Sequence, residues 1–428
     1  MKQRIILLIS ILFLCELTFA QEKLSLSLSQ AQEFALSHNR KIKNATLDIQ
    51  KAEANRWSTF LTMMPQVNGA FDYANMMGYK LNMMGFNIAM PPYATISVTT
   101  SISISAAQII GVQMQKIAAD MSDIVRKQTE QQVLNQVRTL YFSALVMEET
   151  SNLLDSNLAN MRQLLAHTEN SVKVGILNQT DADKLAVQIV TIENSINSVK
   201  RSLEMVYNAL RLQLGIGVDD KILLTQTIDE LVDIEKAKSL LSNQFSVENN
   251  YNYQLLLGST DISKAQLNQK KWAYAPSVTA FHSYTKKEYF SDEPTMNMTP
   301  PNIIGVSLKV PIFSSASRYV SVKAAQIDYE KQLNTLADAE EGLIIQHKQL
   351  CYNLSSALET YQTQKKNIEV NKRIFDDVSL KFENGMASSL EVTNAGTSLI
   401  NAQSSYVQTL MNLISAQVAL EELLQNEK

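Results

Sequence analysis

The sequence predicts a mostly helical protein with a transmembrane β part, made of two internal repeats, each a β-hairpin followed by two long antiparallel coiled-coil helices. Three observations predict it. First, Leu185, Ile189, Ile192, Ile196, Val199, Leu203, Val206 and Leu210 recur at alternating steps of four and three, the heptad seam of a long helix packed along a neighbour. Second, the seam returns 210 residues later as Leu399, Ala402, Tyr406, Thr409, Leu413, Ala416 and Leu420, and Gly175 and Gly385 each stand fourteen residues ahead of the matching Ile189 and Leu399. Pro65-Gln66-Val67 likewise returns as Pro276-Ser277-Val278, 211 residues on. A nearly constant offset shared by separate landmarks marks an internal duplication. Third, residues 94–105 switch to a period of two, with Ile96, Val98, Ile102 and Ile104 alternating with Thr and Ser.

At the N-terminus, Lys2 and Arg4 precede an apolar run over 5–14, and Thr18-Phe19-Ala20 gives a small-x-small cleavage pattern before Gln21. Residues 1–20 therefore read as a secretory signal peptide. A lipoprotein signal would cleave before Cys15, but Leu14 stands where that chemistry takes a small residue. Of 2 cysteines, only Cys351 then remains, which excludes an intrachain disulfide. A formal net charge of −4 offers no basic surface for nucleic acid. With 428 residues but only 12 Gly and 8 Pro, the chain lacks linkers for many small domains, and long helices account for its length better.

Repeat 1 is expected over 21–214 and repeat 2 over 247–428. The first opens with helices over 26–60, with Ser29 as N-cap and a break at His38-Asn39. The second opens with a helix over 247–274, where Asn250 stands 26 residues ahead of Pro276 as Asn39 does of Pro65. Hairpins are expected over 65–105 and 276–313. The alternating stretch 94–105 is longer than an ordinary strand of ~5 to 6 residues and suits the ~9 to 11 of a tilted transmembrane strand. Residues 67–75 are its expected partner, with Val67, Phe71 and Tyr73 on one face and Asn68 and Asp72 on the other. In the second copy 304–313 sets Val306, Leu308, Val310 and Ile312 against Ser307 and Lys309. Tyr73, Tyr79, Tyr93, Tyr274, Tyr284, Tyr289 and Phe290 gather near strand ends, where membrane-interface girdles sit.

No run of ~20 apolar residues follows the leader, so a bilayer can be crossed only by a closed barrel. Four strands cannot close one, and bacterial barrels begin at about eight, so hairpins from several copies have to be pooled, as in a dimer or a trimer. After the hairpins come long helices, 106–173 with 181–214 and 315–382 with 388–425. A helix over 106–173 is about 100 Å long at ~1.5 Å per residue. Gly175 and Gly385 suit the C-terminal caps of the outgoing helices, and Thr180 and Ser388 or Ser389 can cap the returning ones.

These residues carry a family resemblance. Leu28-Ser29-Gln30-Ala31 with Ala35, Leu36 and Asn39, the two Gly-centred turns before heptad helices, Leu214-Gly215 and the paired hairpins resemble the TolC-like outer membrane efflux proteins, over essentially all of 24–425. The resemblance implies a homotrimer. Its twelve-stranded β-barrel would sit in the outer-membrane lipid of a Gram-negative cell, continued by an α-helical barrel through the periplasm. It would dock to a periplasmic adaptor protein and an inner-membrane pump, and passively conduct drugs and other toxic compounds to the exterior. Export of proteins, or of copper or silver, would use the same duct. The metal variant is raised by Met76, Met77, Met83, Met84 and Met90, since thioethers suit Cu(I), although packing or lipid contact is the commoner reason for methionines in a loop. Residues 215–246 match neither copy; the resemblance makes them an equatorial segment, composition alone a surface linker.

The resemblance also implies site residues. Acidic positions on the returning helix just past the second turn line the periplasmic entrance, and here these are Glu391 and Asn394, six and nine residues after Gly385; Asp181 is placed with them. The turns at Gly175 and Gly385 are the tips for adaptor docking. A ring of Glu391 carboxylates would favour cations, while a first-turn Glu also simply stabilises its own helix, as Asp181 and Asp183 would. A basic residue often found in the family two after this glycine is Ala387 here. There is no HExxH motif, phosphate loop or GxSxG elbow, and His38, His167, His282 and His347 are scattered through unlike contexts, so no enzyme activity, cofactor or resident metal is expected. A non-conducting periplasmic scaffold would show the heptads but has no use for alternating strands.

Overall fold

The computed structural model describes residues 24–83, 86–291 and 297–424; the expected signal peptide lies outside them. In chain order the elements are β1 (Leu24–Leu26), α1 (Leu28–His38), α2 (Arg40–Leu61), β2 (Gln66–Ala74), β3 (Lys80–Met83), β4 (Phe86–Ala89), β5 (Tyr93–Ile104), α3 (Ala106–Lys173) and α4 (Gln179–Leu214). There follow β6 (Ile222–Leu224), α5 (Ile228–Leu231), α6 (Ile234–Leu240), a 3₁₀ turn (Val247–Asn249), α7 (Tyr251–Trp272), β7 (Ser277–Tyr289), β8 (Asn302–Lys309), α8 (Ser317–Glu383) and α9 (Ser389–Leu424). The chain divides into two compact units, one of Met1–Asn44, Arg126–Asn250 and Glu341–Lys428, the other of Ala45–Val125 and Tyr251–Glu340.

In the first unit the start differs from the sequence expectation of a helix from residue 26 with Ser29 as its cap. Residues Leu24–Leu26 are a strand, parallel to β6 with Leu24 opposite Ile222. The N-cap of α1 is Ser27: its hydroxyl accepts from the Gln30 N–H, and the Gln30 side chain accepts from the Ser27 N–H at 2.9 Å, a reciprocal capping box. Ser29, two residues on, is already inside the helix. Asn39 ends α1, accepts from the Lys41 N–H at 2.7 Å and donates to the Gln213 carbonyl at 2.6 Å. There α4 ends at Gly215, whose φ of +75° is left-handed and where a Cβ would lie 2.6 Å from the His38 carbonyl oxygen. Only glycine satisfies both conditions, so Asn39 and Leu214-Gly215, far apart in sequence, form one junction.

The heptad residues point inward. Leu185, Ile189, Ile192 and Ile196 of α4 share a buried cluster with Leu154, Leu158 and Met161 of α3, Phe375 and Phe382 of α8, and Val392, Ala395 and Leu399 of α9. Helices from both repeats therefore build one core. A second cluster gathers Phe142, Leu354, Leu358, Tyr361, Leu410, Leu413 and Leu420, and it takes in Ala237 and Leu240 of α6. The inter-repeat stretch is thus packed into the helices, and the surface-linker reading is corrected: Ala237, Leu240 and strand β6 each bury a face that composition does not reveal. Arg138 of α3 pairs with Glu421 of α9, and Lys236 of α6 lies 3.5 Å from the same carboxylate. Burial works to raise the Glu421 carboxyl, and Arg138, Gln417 and Lys236 together bring it below its ordinary range.

The second unit holds one antiparallel sheet in the order β2-β5-β7-β8. Val67 pairs with Thr100, Thr100 with His282 and His282 with Ile304, so the two hairpins are fused through β5 and β7. Strand β8 stops at Lys309 rather than running to 313, since Pro311 has no N–H to offer a ladder. The expected first hairpin carries an extra antiparallel ribbon, β3 with β4, at its tip. Because register is continuous across four strands, alternation sorts the whole sheet. One face carries Phe71, Ile96, Val98, Ile102, Ile104, Val278, Ile304, Val306 and Leu308, and the other carries Asn68, Asp72, Thr95, Ser97, Ser101, Ser103, Thr279, Ser283 and Ser307. In the central strands β5 and β7 the apolar face is the more exposed one, while both faces of the edge strands β2 and β8 are open; Ile304 is 82% and Val306 73% accessible. Among the described residues no helix is long and apolar enough to cross a membrane.

Candidate functional site

The candidate functional residues fall in two places: the helix turns of the first unit and the faces of the sheet. Both turns have the same backbone. At the end of α3, the Gly175 N–H donates to the Val172 carbonyl and the Ile176 N–H to that of Ser171; at the end of α8, Gly385 donates to Phe382 and Met386 to Lys381. These paired bonds are a Schellman motif, and the left-handed φ of +78° at Gly175 and +71° at Gly385 is what it requires. The chain outside the motif is apolar and exposed, with Val174, Ile176 at 75%, Met386 at 71% and Leu390.

The returning helices start differently. At α9, the Ser388 hydroxyl accepts from the Glu391 N–H at 3.2 Å, while the Glu391 carboxylate accepts from the Ser388 N–H at 2.6 Å and its hydroxyl at 2.9 Å. This too is a capping box, and its bonds hold the Glu391 carboxyl below the usual carboxylate range. Both bonds fall on Oε2. Asn394, one turn further on, is exposed like Glu391. At α4 the N-cap position is Asn178, without a side-chain cap bond; Thr180 is already inside the helix and does not cap it.

Asp181, expected at the same entrance as Glu391, is bonded to the helix that carries Glu391. Its Oδ1 accepts from the Ser389 hydroxyl at 2.5 Å, joining the first turn of α4 to that of α9. That bond, before all other causes, lowers the Asp181 carboxyl, with Lys184 helping. Ser389 is buried. Sequence reasoning had Ser388 and Ser389 only as alternative caps, though Ser388-x-x-Glu391 is itself the capping-box spacing that separates them. Asp183 accepts from the Gln179 side chain at 3.0 Å, within its own helix.

The scattered histidines stay apart. His38 stacks on Phe34 and His347 on Phe245, and burial lowers His347 and raises the nearby Cys351 thiol. Among the described residues no group of three or more His, Cys, Asp or Glu could hold a metal ion. Of the loop methionines, Met84 lies outside the described residues, and Met77 is 92% exposed with a φ of +48°.

Sequence comparison decides the family. Residues 32–216 and 242–426 each match the outer membrane efflux protein family. The chain belongs to the outer membrane efflux protein family. The two matched stretches are themselves offset by 210 residues, the spacing of the heptad seams. Outer membrane protein TolC of Escherichia coli (strain K12) is 19% identical over 418 residues, covering 93% of this chain and 83% of TolC. Toxin and drug export protein A of Aggregatibacter actinomycetemcomitans is 19% identical over 411 residues, covering 92% and 85%. Among solved structures, the outer membrane protein VceC of Vibrio cholerae shares the fold with a TM-score of 0.75 at 12% identity, over 93% of this chain and 95% of VceC. This efflux protein is accordingly an outer-membrane channel component, and its family is one of channels rather than of enzymes.

Proposed function

We propose that three copies of this efflux protein close a twelve-stranded barrel in the outer membrane, continued by a helical conduit in the periplasm, and passively conduct toxic small molecules from an inner-membrane pump and its adaptor to the exterior. The observation that carries this reading is the sheet: four strands leave β2 and β8 each with an unpaired edge, and its apolar face is uncovered, with Ile304 82% and Val306 73% exposed. Unpaired backbone is not tolerated in hydrocarbon, so the edges need β2 and β8 of other copies, and the apolar face needs lipid. Native mass spectrometry of the detergent-extracted protein is expected to give a trimer; a stable monomer would overturn the reading.

At the periplasmic end, the exposed apolar residues around Gly175 and Gly385 suit the adaptor, and Glu391 with Asn394 would ring the entrance. The Asp181–Ser389 bond supports a closed arrangement of the two returning helices. Since it holds the Asp181 carboxyl down, the ionised form is complete above the ordinary carboxylate range and is lost only as pH falls through the lower folded value. The Aggregatibacter relative, named for export of toxin as well as drug, supports toxin as a second cargo. Purifying the chain with its native pump distinguishes the two: a peptidase-linked or toxin-linked transporter, rather than a drug pump, would favour protein export.

A further inference from the structure

The end of β2, the start of β5 and the end of β7 meet at one end of the sheet, where Ala74, Tyr93 and Tyr289 are in register, and there Lys287 is held on the hydroxylic face. The register sets Tyr93 opposite Tyr289 and Thr95 opposite Lys287, alternate positions that share one face. The two rings lie 5.8 Å apart, centre to centre. Lys287 Nζ is 3.6 Å from the centre of the Tyr93 ring and 4.9 Å from that of Tyr289, well inside the ~6 Å over which an aromatic face attracts an ammonium.

Aromatic rings fix a cation without neutralising it. Asp72 shares the row, but on the far side of β5; Lys286 and Glu288 fall on the opposite face by alternation. Along β7, Ser277, Thr279, Phe281, Ser283, Thr285, Lys287 and Tyr289 are half-buried, whereas the intervening residues except Ala280 are exposed. A sheet that curls toward its hydroxylic face shelters that face in this way, so Lys287 sits on the concave side. When copies close a barrel, the concave side is the lumen. Of the charged residues on that face of the described sheet, Asp72, Lys287 and Lys309, two are lysines.

We propose that Lys287 is a specificity-determining residue of the conduit, its three copies forming a ring of aromatic-held cations at the external mouth that draws the carboxylate, phosphate or sulfonate groups of departing cargo. The ring is opposite in sign to the Glu391 entrance, and it rests on the trimeric channel proposed above.

The test uses the full-length protein in planar bilayers, with inositol hexakisphosphate added on the hairpin-loop side. It is expected to block the wild-type current, and Lys287→Gln is expected to raise the half-blocking concentration by about tenfold or more, as loss of three focused charges should. Lys286→Gln, one residue along on the lipid side, is expected to leave it unchanged. Equal block in wild type and Lys287→Gln overturns the inference while leaving the channel intact; a wild-type protein that conducts nothing overturns the channel reading itself. A second measurement does not touch Lys287: in Glu391→Gln, the reversal potential under a KCl gradient is expected to move to anion preference, and retained cation preference overturns the ring.

Discussion

Leu185 and Ile304 are similar aliphatic side chains with opposite fates. Leu185 is 0% exposed in the core shared by four helices, and Ile304 is 82% exposed on a strand. The helical unit obeys water: its heptad stripes meet one another and turn polar faces out. The central strands of the sheet reverse the rule, half-burying their serines and threonines while Ile96, Val98 and Ile104 are exposed. Burying apolar area is worth about 25 cal/mol per Å² only against water, so the reversal suits the lipid contact proposed for the apolar face of the sheet.

Breaking the comparison on the helical side should have the largest effect. Leu185→Ala removes a fully buried side chain from the cluster around Met161 and Phe375 and is expected to cost about 2–5 kcal/mol, read from denaturant unfolding followed by helical circular dichroism. Ile304→Ala, in the same assay in detergent, should stay within about 0.5 kcal/mol. Similar costs for the two would mean that the apolar face of the sheet is packed against protein.

On the sheet side, Ile102 and Ser101 are neighbours on opposite faces. If Ile102 faces lipid near the midplane, Ile102→Arg is expected to destabilise the inserted protein by about 2–4 kcal/mol, whereas Ser101→Arg should insert and alter conductance. Equal tolerance of both in a folding assay with lipid vesicles would place the strand outside the membrane.

How much of this was legible in the sequence followed from period. The heptads at 185–210 and the alternation at 94–105 are local patterns, each with one geometry that satisfies it, and both elements stand where the patterns lie. What was not legible depended on distant partners. Strand β1 exists because Leu24–Leu26 meets Ile222–Leu224, and three residues have no period of their own. The Asp181–Ser389 bond joins residues 208 apart in sequence, and Lys287 meets Tyr93 only through the β5–β7 register. Short motifs were also underused: Ser27-x-x-Gln30 is a capping box and fixes the start of α1 better than the serine two residues on.

A smaller effect is expected at the junction of Asn39 with Gly215. Gly215→Ala forces a Cβ onto a φ of +75° and to within 2.6 Å of the His38 carbonyl oxygen. The left-handed conformation alone should cost about 1–3 kcal/mol. A melt shifted down, with trimer and conductance retained at low temperature, is the expected result; an unchanged melt would mean that the N-terminal helices are not anchored at this point.

The smallest expected effect on stability belongs to the most informative substitution, Glu391→Gln. Glu391 has two separable properties, a charge and a reach back to the Ser388 N–H. The carboxyl is held low by that bond, so its anionic contribution to the helix start is present above the ordinary glutamate value and is lost as pH falls through the lower folded one. Glutamine keeps the reach, and this chain already shows that it suffices: the box at α1 is closed by Gln30 on Ser27. Glu391→Gln should therefore melt like wild type at pH 7, and any change in conduction reports the charge alone. If three Glu391 side chains ring the entrance, a trivalent cation such as hexamminecobalt added from the helical side should block wild type and largely fail to block the variant, while Asp183→Asn, whose carboxylate is engaged by Gln179 on its own helix, should be blocked as before. Undiminished block in Glu391→Gln would leave Glu391 as a helix cap and move the entrance elsewhere.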